Sequence, residues 1–292
     1  MVVRSEVAVI AGTLYVVATP IGNLEDITAR ALRVLREVAL IAAEDTRHSR
    51  KLLNHFGIRT PLISCHEHNE QQRQEALVGR LLAGESIALI SDAGTPAIAD
   101  PGYRLVRACH AAGVTVTPVP GASALLAALS AAGEPTDRFV FEGFLPTRAA
   151  AREEALRAIC NEPRTVVCYE TPHRLLAALA AIAAVWGAER PLVVARELTK
   201  LHEELFRGTV NQALEHFGAE RVRGELVLIL PPYAAAAPAR DLAAVLRDLL
   251  VTRRLSRKEA VKQVAKDFGV SRSDVYRISL EIDQSKGEKE SE

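Results

Sequence analysis

Five polar segments each follow an apolar run of strand length, and their residue types could bind a ligand or move a proton. They are Thr19 to Asp26, Ala43 to His48, Cys65 to Glu70, Ser91 to Gly102, and Val119 to Ala124. The fourth, Ser-Asp-Ala-Gly-Thr-Pro-Ala-Ile-Ala-Asp-Pro-Gly, is the most informative. It is a long loop between an apolar run (Ser86 to Ile90) and a helical pattern (Tyr103 to Cys109), and open α/β sheets bind ligands at the carboxyl ends of their strands. Gly94 lets backbone approach a ligand, and Pro96 and Pro101 fix the loop at little entropic cost. Neither Gly-x-Gly-x-x-Gly nor Gly-x-x-x-x-Gly-Lys-Ser/Thr occurs there, so neither a dinucleotide fingerprint nor a P-loop is indicated. Glu44 and Asp45 either serve a site or cap the next helix, and Asn23 to Asp26 either serves a site or opens one. His66 and His68 share a side if their segment is extended, but spacing places no third ligand, so no metal is predicted.

The elements that must position these loops alternate. Strands are predicted at Leu14 to Ala18, Val38 to Ala43, Leu62 to Cys65, Ile87 to Ile90 and Val114 to Val116. Helices lie between them at Thr28 to Glu37 (capped by Asp26 or Thr28), Ser49 to Phe56, Glu70 to Ala83, and after Gly102. This is parallel-sheet patterning. A hinge at Val119 to Glu134 leads to a second series, with strands Phe139 to Phe141, Thr165 to Tyr169, Leu192 to Ala195 and Glu225 to Leu230, and helices Arg152 to Cys160 and Pro172 to Trp186. The last strand is expected antiparallel to its neighbours. After the linker Pro231 to Pro238 come three short helices, Asp241 to Val251, Arg257 to Phe268 and Ser273 to Ile282. Ser256 and Ser271 are their caps, and Gly269 lies in a turn of helix-turn-helix length. The expected domains are 12–121 and 122–232 (both α/β), a helix-turn-helix-like module at 241–282, and a disordered tail at 283–292.

The 292 residues are 49% hydrophobic and 25% charged, ordinary for a soluble globular chain, and the length suggests two domains. A formal net charge of +0 excludes a global basic field, though not a local patch. No apolar run reaches membrane-span length, and Met1 to Glu6 opens no leader-like apolar region, so a cytoplasmic protein is expected. Cys65, Cys109, Cys160 and Cys168 form no Cys-x-x-Cys pair and read as reduced core thiols.

Together the segments are more specific than any one of them. Leu14 to Thr28 (LYVVATPIGNLEDIT) resembles the opening of the ribosomal RNA small subunit methyltransferase I family. The resemblance extends to Ala42 to Arg47 (AAEDTR), Ser91 to Pro96 (SDAGTP), Phe141 to Pro146 (FEGFLP), Tyr169 to Arg174 (YETPHR) and Arg196 to Glu204 (RELTKLHEE), and it spans Gly12 to Pro232. The chain departs from the pattern at Ala39, Cys65, Ala97 and Ala99, which leaves the motifs intact but admits a change of pocket shape.

The resemblance implies the tetrapyrrole-methylase (class III methyltransferase) fold, α/β with two domains and a methyl donor in the cleft between them. It implies a homodimer using S-adenosyl-L-methionine and no metal. The implied reaction is 2′-O-methylation of a decoding-centre cytidine of 16S rRNA, cytidine 1402, on free rRNA or on the small ribosomal subunit. In-line methyl transfer asks mainly for orientation. One donor wall would be Asp92, Ala93, Gly94, Thr95 and Ile98, and another Pro20, Ser123 and Ala124, with Tyr169 closing the cleft. A ribose hydroxyl is a weak acid, so an acceptor assists its attack. Asp45, Glu170 and Glu197 are the candidates, and each could instead be paired with Arg47, Arg174 or Arg196.

Phosphate contacts could come from Arg47, Arg50 and Lys51, from Arg148, Arg152, Arg174, Arg196 and Lys200, and from the last segment. That segment carries Arg253, Arg254, Arg257, Lys258, Lys262, Lys266, Arg272 and Arg277, either as RNA contacts or as a solvated face. Two other functions fit the same fold: a methyltransferase for a tetrapyrrole or other small molecule, and a non-catalytic RNA-binding assembly factor.

Overall fold

The structure, a computed structural model, describes residues 8–66, 69–219, 222–232, 242–252, 255–268 and 271–287. They fall into two compact units, 1–233 and 234–292.

The first unit holds two five-stranded sheets. The first has β1 (Thr13–Val17), β2 (Leu40–Ala43), β3 (Leu62–Ser64), β4 (Ile87–Ile90) and β5 (Thr115–Val119) in the order β3-β2-β4-β1-β5. All its pairings are parallel, so the five strand ends that precede the polar segments share one edge. β1, β2 and β4 are apolar on both faces because helices cover both. On one face α1 (Ala29–Glu37) and α2 (Thr46–His55) set Val34, Leu35 and Leu53 against Tyr15, Val17 and Ile41. On the other α3 (Glu70–Leu82) and α4 (Tyr103–Ala111) set Leu77, Leu81 and Leu105 against Leu14, Leu40 and Leu89. Thr28, rather than Asp26, caps α1, its hydroxyl accepting from the Ala31 amide.

The second sheet, in the order β6-β7-β10-β8-β9, is mixed. Its strands are β6 (Phe139–Phe144), β7 (Thr165–Glu170), β8 (Pro191–Arg196), β9 (Glu204–Thr209) and β10 (Leu226–Leu230). β10 runs antiparallel to β7 and β8, as its sequence suggests. Helices α6 (Ala149–Ala158), α7 (Leu175–Trp186) and α8 (Val210–Gly218) cover one face. The other is covered by α5 (Ala124–Ala132), whose Leu125, Ala128 and Leu129 pack on Val167, Val193 and Val227. The expected hinge therefore contains a helix that serves the second sheet. β9 and α8 are not predicted by the spacing. β9 is an edge strand with Leu205 and Arg207 both exposed, which erases the alternation that marks a strand.

The second unit is a small helical cluster. α9 (Leu242–Arg247) continues as a π-helical turn (Asp248–Thr252) and packs with α10 (Arg257–Phe268) and α11 (Arg272–Gly287) through Leu246, Val261, Val264 and Val275. Ser256 and Glu259 form a reciprocal capping box on α10. α11 runs to Gly287, past the expected end at Ile282, because no breaker precedes that glycine. Expectations about Met1 to Glu6, Glu67, His68, the linker from Tyr233 to Pro238, Asp241, Arg253, Arg254, Gly269 and 288–292 lie outside the described residues.

Gly102 ends the long loop at φ 130°, and an added Cβ would sit 2.7 Å from Leu89 Cδ2 in the core. Backbone strain and overpacking then act together. Gly102→Ala is expected to lower stability by about 3 kcal/mol in denaturant unfolding.

Candidate active site

One cavity of about 270 Å³ opens where the strand ends of the two sheets meet. The first sheet supplies Ile21, Glu44, Asp92 to Thr95, Ile98 and Asp100. From α5 and the second sheet come Ser123 and Ala124, Phe144, Tyr169 to Pro172, Leu198, and Glu225 to Val227.

Backbone pairing builds the first wall. Thr19 and Gly94 exchange two amide hydrogen bonds (2.9 and 3.0 Å), joining the loop after β1 to the loop after β4. Gly94 adopts φ 75°, a conformation that favours glycine, so the bridge and the residue type belong together. Asp92 Oδ1 accepts from the Asp45 amide (3.1 Å), which ties in the loop after β2. Thr95 donates to the Ala122 carbonyl (3.3 Å), which ties in the chain after β5. Across the cavity the Tyr169 hydroxyl accepts from the Leu125 amide at the start of α5 (3.2 Å), and its ring meets Phe141 and Phe144 edge-on.

The walls are apolar with an acidic lining. Glu44, Asp92, Asp100, Glu170 and Glu225 all contribute, and no lysine or arginine does. Burial, then Asp92, raises Glu44 above the usual carboxylate range. Burial, then Glu44, pushes Asp100 up to about 6. Such a lining favours a cationic ligand, whose charge would relieve the mutual repulsion of the carboxylates. Glu170 is held differently. Its Oε1 accepts from the Thr171 amide (2.8 Å) and lies 3.3 Å from Arg174 Nε, while its buried Oε2 has no hydrogen-bond partner.

Residues 13–214 match the tetrapyrrole (corrin/porphyrin) methylase family. The chain is 51% identical over 275 residues to the ribosomal RNA small subunit methyltransferase I of Pseudomonas aeruginosa, covering 93% of this chain and 98% of that protein. It is 49% identical over 276 residues to the protein of the same name from Synechocystis, with 93% and 99% covered. The chain belongs to the ribosomal RNA small subunit methyltransferase I family. Solved structures of more distant methylases share its fold. A uroporphyrin-III C-methyltransferase from Thermus thermophilus, complexed with S-adenosyl homocysteine, superposes with a TM-score of 0.53 at 20% identity (75% of this chain, 97% of that one). A diphthine synthase superposes with 0.58 at 14% (75% and 90%).

Of the donor-wall residues expected from the methyltransferase I motifs, Asp92, Ala93, Gly94, Thr95, Ile98, Ser123, Ala124 and Tyr169 line the one cavity. Pro20 does not; it is buried, and its neighbour Ile21 is the wall residue. The three carboxylate candidates separate. Asp45 is not a wall residue. It caps α2 through the Arg47 amide and pairs with the Arg47 guanidinium (2.8 Å), which holds its carboxyl well below the usual range. Glu197 is not a wall residue either. Burial would raise it, but the Lys200 ammonium at 2.7 Å outweighs that and keeps it low. Its partner is thus Lys200, while Arg196 pairs with Glu204 at 2.9 Å. Glu170 alone of the three lines the cavity.

None of the described residues of the loop after β3 lines the cavity. Glu70 is turned inward, where Oε1 accepts from the Leu105 amide (3.1 Å) and supports the start of α4. Among the described residues no group of three His, Cys, Asp or Glu is placed to hold a metal. Ala97 and Ala99 adopt φ 67° and 60° and are not among the wall residues. The sequence reading misses Asp100, Phe144, Leu198 and Glu225 to Val227. Asp100 was legible as a carboxylate in the richest loop. Glu225 to Val227 open β10, whose antiparallel direction brings its amino end to the edge where the other strands have their carboxyl ends.

Asp100 generates a pH prediction. Its folded pKa of about 6 exceeds the ordinary 3.8, so between these values the fold keeps a proton that the unfolded chain loses. Stability falls as pH rises across that window, and the loss persists above it. Asp100→Asn is expected to melt about 3 °C higher than the parent at pH 7 and no higher at pH 3.5, read from thermal unfolding at both values.

Proposed function

We propose that the chain transfers a methyl group from S-adenosyl-L-methionine to the ribose 2′-hydroxyl of a cytidine in 16S rRNA, the decoding-centre cytidine 1402. The observation that carries this is an acidic and apolar cavity whose walls come from motif segments of both sheets. The residues present suit the donor. Asp92, Glu44, Asp100 and Glu225 would face its ammonium and sulfonium charges, Ile21, Ile98, Leu198 and Phe144 its apolar surface, and the Gly94 backbone its polar edge. When bound, it supplies a methyl group on a positively charged sulfur that leaves as a neutral thioether.

Glu170 Oε2 accepts the proton of the attacking hydroxyl as the O–CH₃ bond forms and the S–CH₃ bond breaks, and returns it to solvent. Its Oε1 is anchored, so its free oxygen is oriented before substrate arrives. Tyr169 and Ser123 fix the start of α5, which would orient the second wall for an in-line transfer.

The test is label transfer from methyl-labelled S-adenosyl-L-methionine to small ribosomal subunits from a strain lacking this protein, with mapping of ribose methylation. Labelling at the one cytidine is expected. Labelling of an added tetrapyrrole instead would establish the small-molecule reading, and binding of RNA without donor uptake the assembly-factor reading. Glu170→Gln should lower kcat by about 10²-fold or more at unchanged donor Kd, as loss of a general base does.

The helical unit is proposed to assist RNA capture. Lys258, Lys262 and Lys266 are exposed at four-residue spacing on one face of α10, and Arg272 and Arg277 are exposed on α11. It contains none of the cavity walls. A chain ending at Pro232 should keep its donor affinity while its RNA affinity falls and becomes less salt-dependent, measured at two salt concentrations.

A further inference from the structure

α2 begins at the cavity. Glu44, two residues before its first turn, is a wall residue, and the amide of its N-cap Asp45 donates to the wall residue Asp92. From there the helix runs out along the surface with Arg47, Arg50, Lys51 and Asn54 exposed, at the i, i+3, i+4, i+7 spacing of a single helix face. With Thr46 they line a shallow hollow of about 330 Å³. Asp45 neutralises Arg47 in part. Arg50 and Lys51 have no carboxylate partner among the described residues. They are exposed cations on a chain whose net charge is +0.

We infer that this face of α2 is a track for the phosphate backbone of the RNA strand that delivers the target nucleotide into the cavity, a reading that rests on the function proposed above. Charge complementarity names the occupant. The cavity is acidic and repels phosphate, so a polyanionic substrate needs a cationic surface beside the opening rather than inside it. The face spans about 10 Å from Arg47 to Asn54 at 1.5 Å per residue, enough for about two consecutive phosphates of a single strand. Arg50 offers a planar fork to phosphate oxygens, Lys51 a point charge, and Asn54 a neutral donor at the far end. As a line of phosphate contacts, the face would position the strand without reading its sequence.

The experiment compares the full-length parent with Arg50→Ala/Lys51→Ala and with Arg50→Lys. Three quantities are measured: KM and kcat on unmethylated small subunits, affinity for protein-free 16S rRNA at two salt concentrations, and donor affinity. The double variant is expected to raise KM and the RNA Kd about tenfold at low salt and to flatten the salt slope by roughly 1.4, with kcat at saturation and donor Kd unchanged. Arg50→Lys should keep the parent's salt slope, because charge is retained, and lose part of the affinity that the planar fork supplies, less than the double variant loses. An unchanged RNA Kd and salt slope in the double variant, with a parent that methylates subunits, would overturn the phosphate track and leave the proposed function standing. A loss confined to subunits and absent on protein-free RNA would assign the face to a ribosomal protein and also overturn it. If the parent methylates neither substrate, the proposed function itself fails. Equal melting temperatures exclude unfolding as the cause, which exposed and unpaired side chains make the expected result.

Discussion

The pair of amide hydrogen bonds between Thr19 and Gly94 is the constraint on which the site depends. Strand ends in a parallel sheet are only near neighbours, and each loop beyond them has its own conformational freedom to lose. Pairing Thr19 with Gly94 extends the β1–β4 ladder past the sheet edge by one antiparallel bridge. It fixes two loops for the entropy of one, and the remaining ties follow from it. Ser91 accepts from the Thr19 hydroxyl (3.3 Å), and Asp92 is then placed to accept from Asp45. The left-handed conformations of Ala97 and Ala99 show that the remainder of the loop is held against its own preference. Such strain persists only where surrounding contacts over-determine the chain, and the bridge supplies them at one end while Gly102 supplies the turn at the other.

Electrostatics divides this unit by position. Carboxylates concentrate in the cavity, where burial magnifies their repulsion and raises Glu44 and Asp100. Cations that approach the site are kept out of it by pairing: Arg47 with Asp45, Arg196 with Glu204, Lys200 with Glu197 and Glu225. Lys200 matters most in this respect, since Glu225 is a wall residue and its charge is partly met from outside. A cationic donor and an anionic RNA could not both be attracted to one uniform surface. A neutral chain with the two signs segregated can accept both.

Most of this arrangement was legible because the first sheet is parallel. Parallel strands buried on both faces read as continuous apolar runs, and the loops after them must share an edge, so the loops carrying Asp92 to Thr95 and Ser123 could be grouped before any coordinates, while Tyr169 joined them only through the family resemblance. The failures have physical reasons. Asp45 and Glu170 look alike in sequence, each an acid at a strand end with an arginine a few residues on. Only the fold shows that one spends its carboxylate on the first turn of α2 while the other keeps an oxygen without a partner. Arg196, open as a partner for Glu197, instead meets Glu204 across the β8–β9 pairing, while Glu197 lies past the end of β8 at φ 50° and meets Lys200 at the turn that follows. β9 was invisible because an edge strand exposes both its apolar and its charged residues.

The antiparallel strand explains why the second sheet can complete a site begun by the first. β6 and β7 bring their carboxyl ends to the cavity, and a wholly parallel sheet would have offered only further loops there. By reversing β10 between β7 and β8, the fold places regular strand at the opening instead: Leu226 and Val227 are buried, hydrogen-bonded in register with Glu170, Tyr169, Arg196 and Ala195, and still face the cavity. Glu170 is thus flanked by a central strand, not by a loop. The proton acceptor proposed at Glu170 would have to meet a hydroxyl at hydrogen-bond distance and would benefit from that rigidity, because misplacing a reacting group by an ångström costs rate steeply. The first sheet contributes loops laced together by backbone bonds, and the second contributes a fixed floor that carries Glu170. The division follows from strand direction alone.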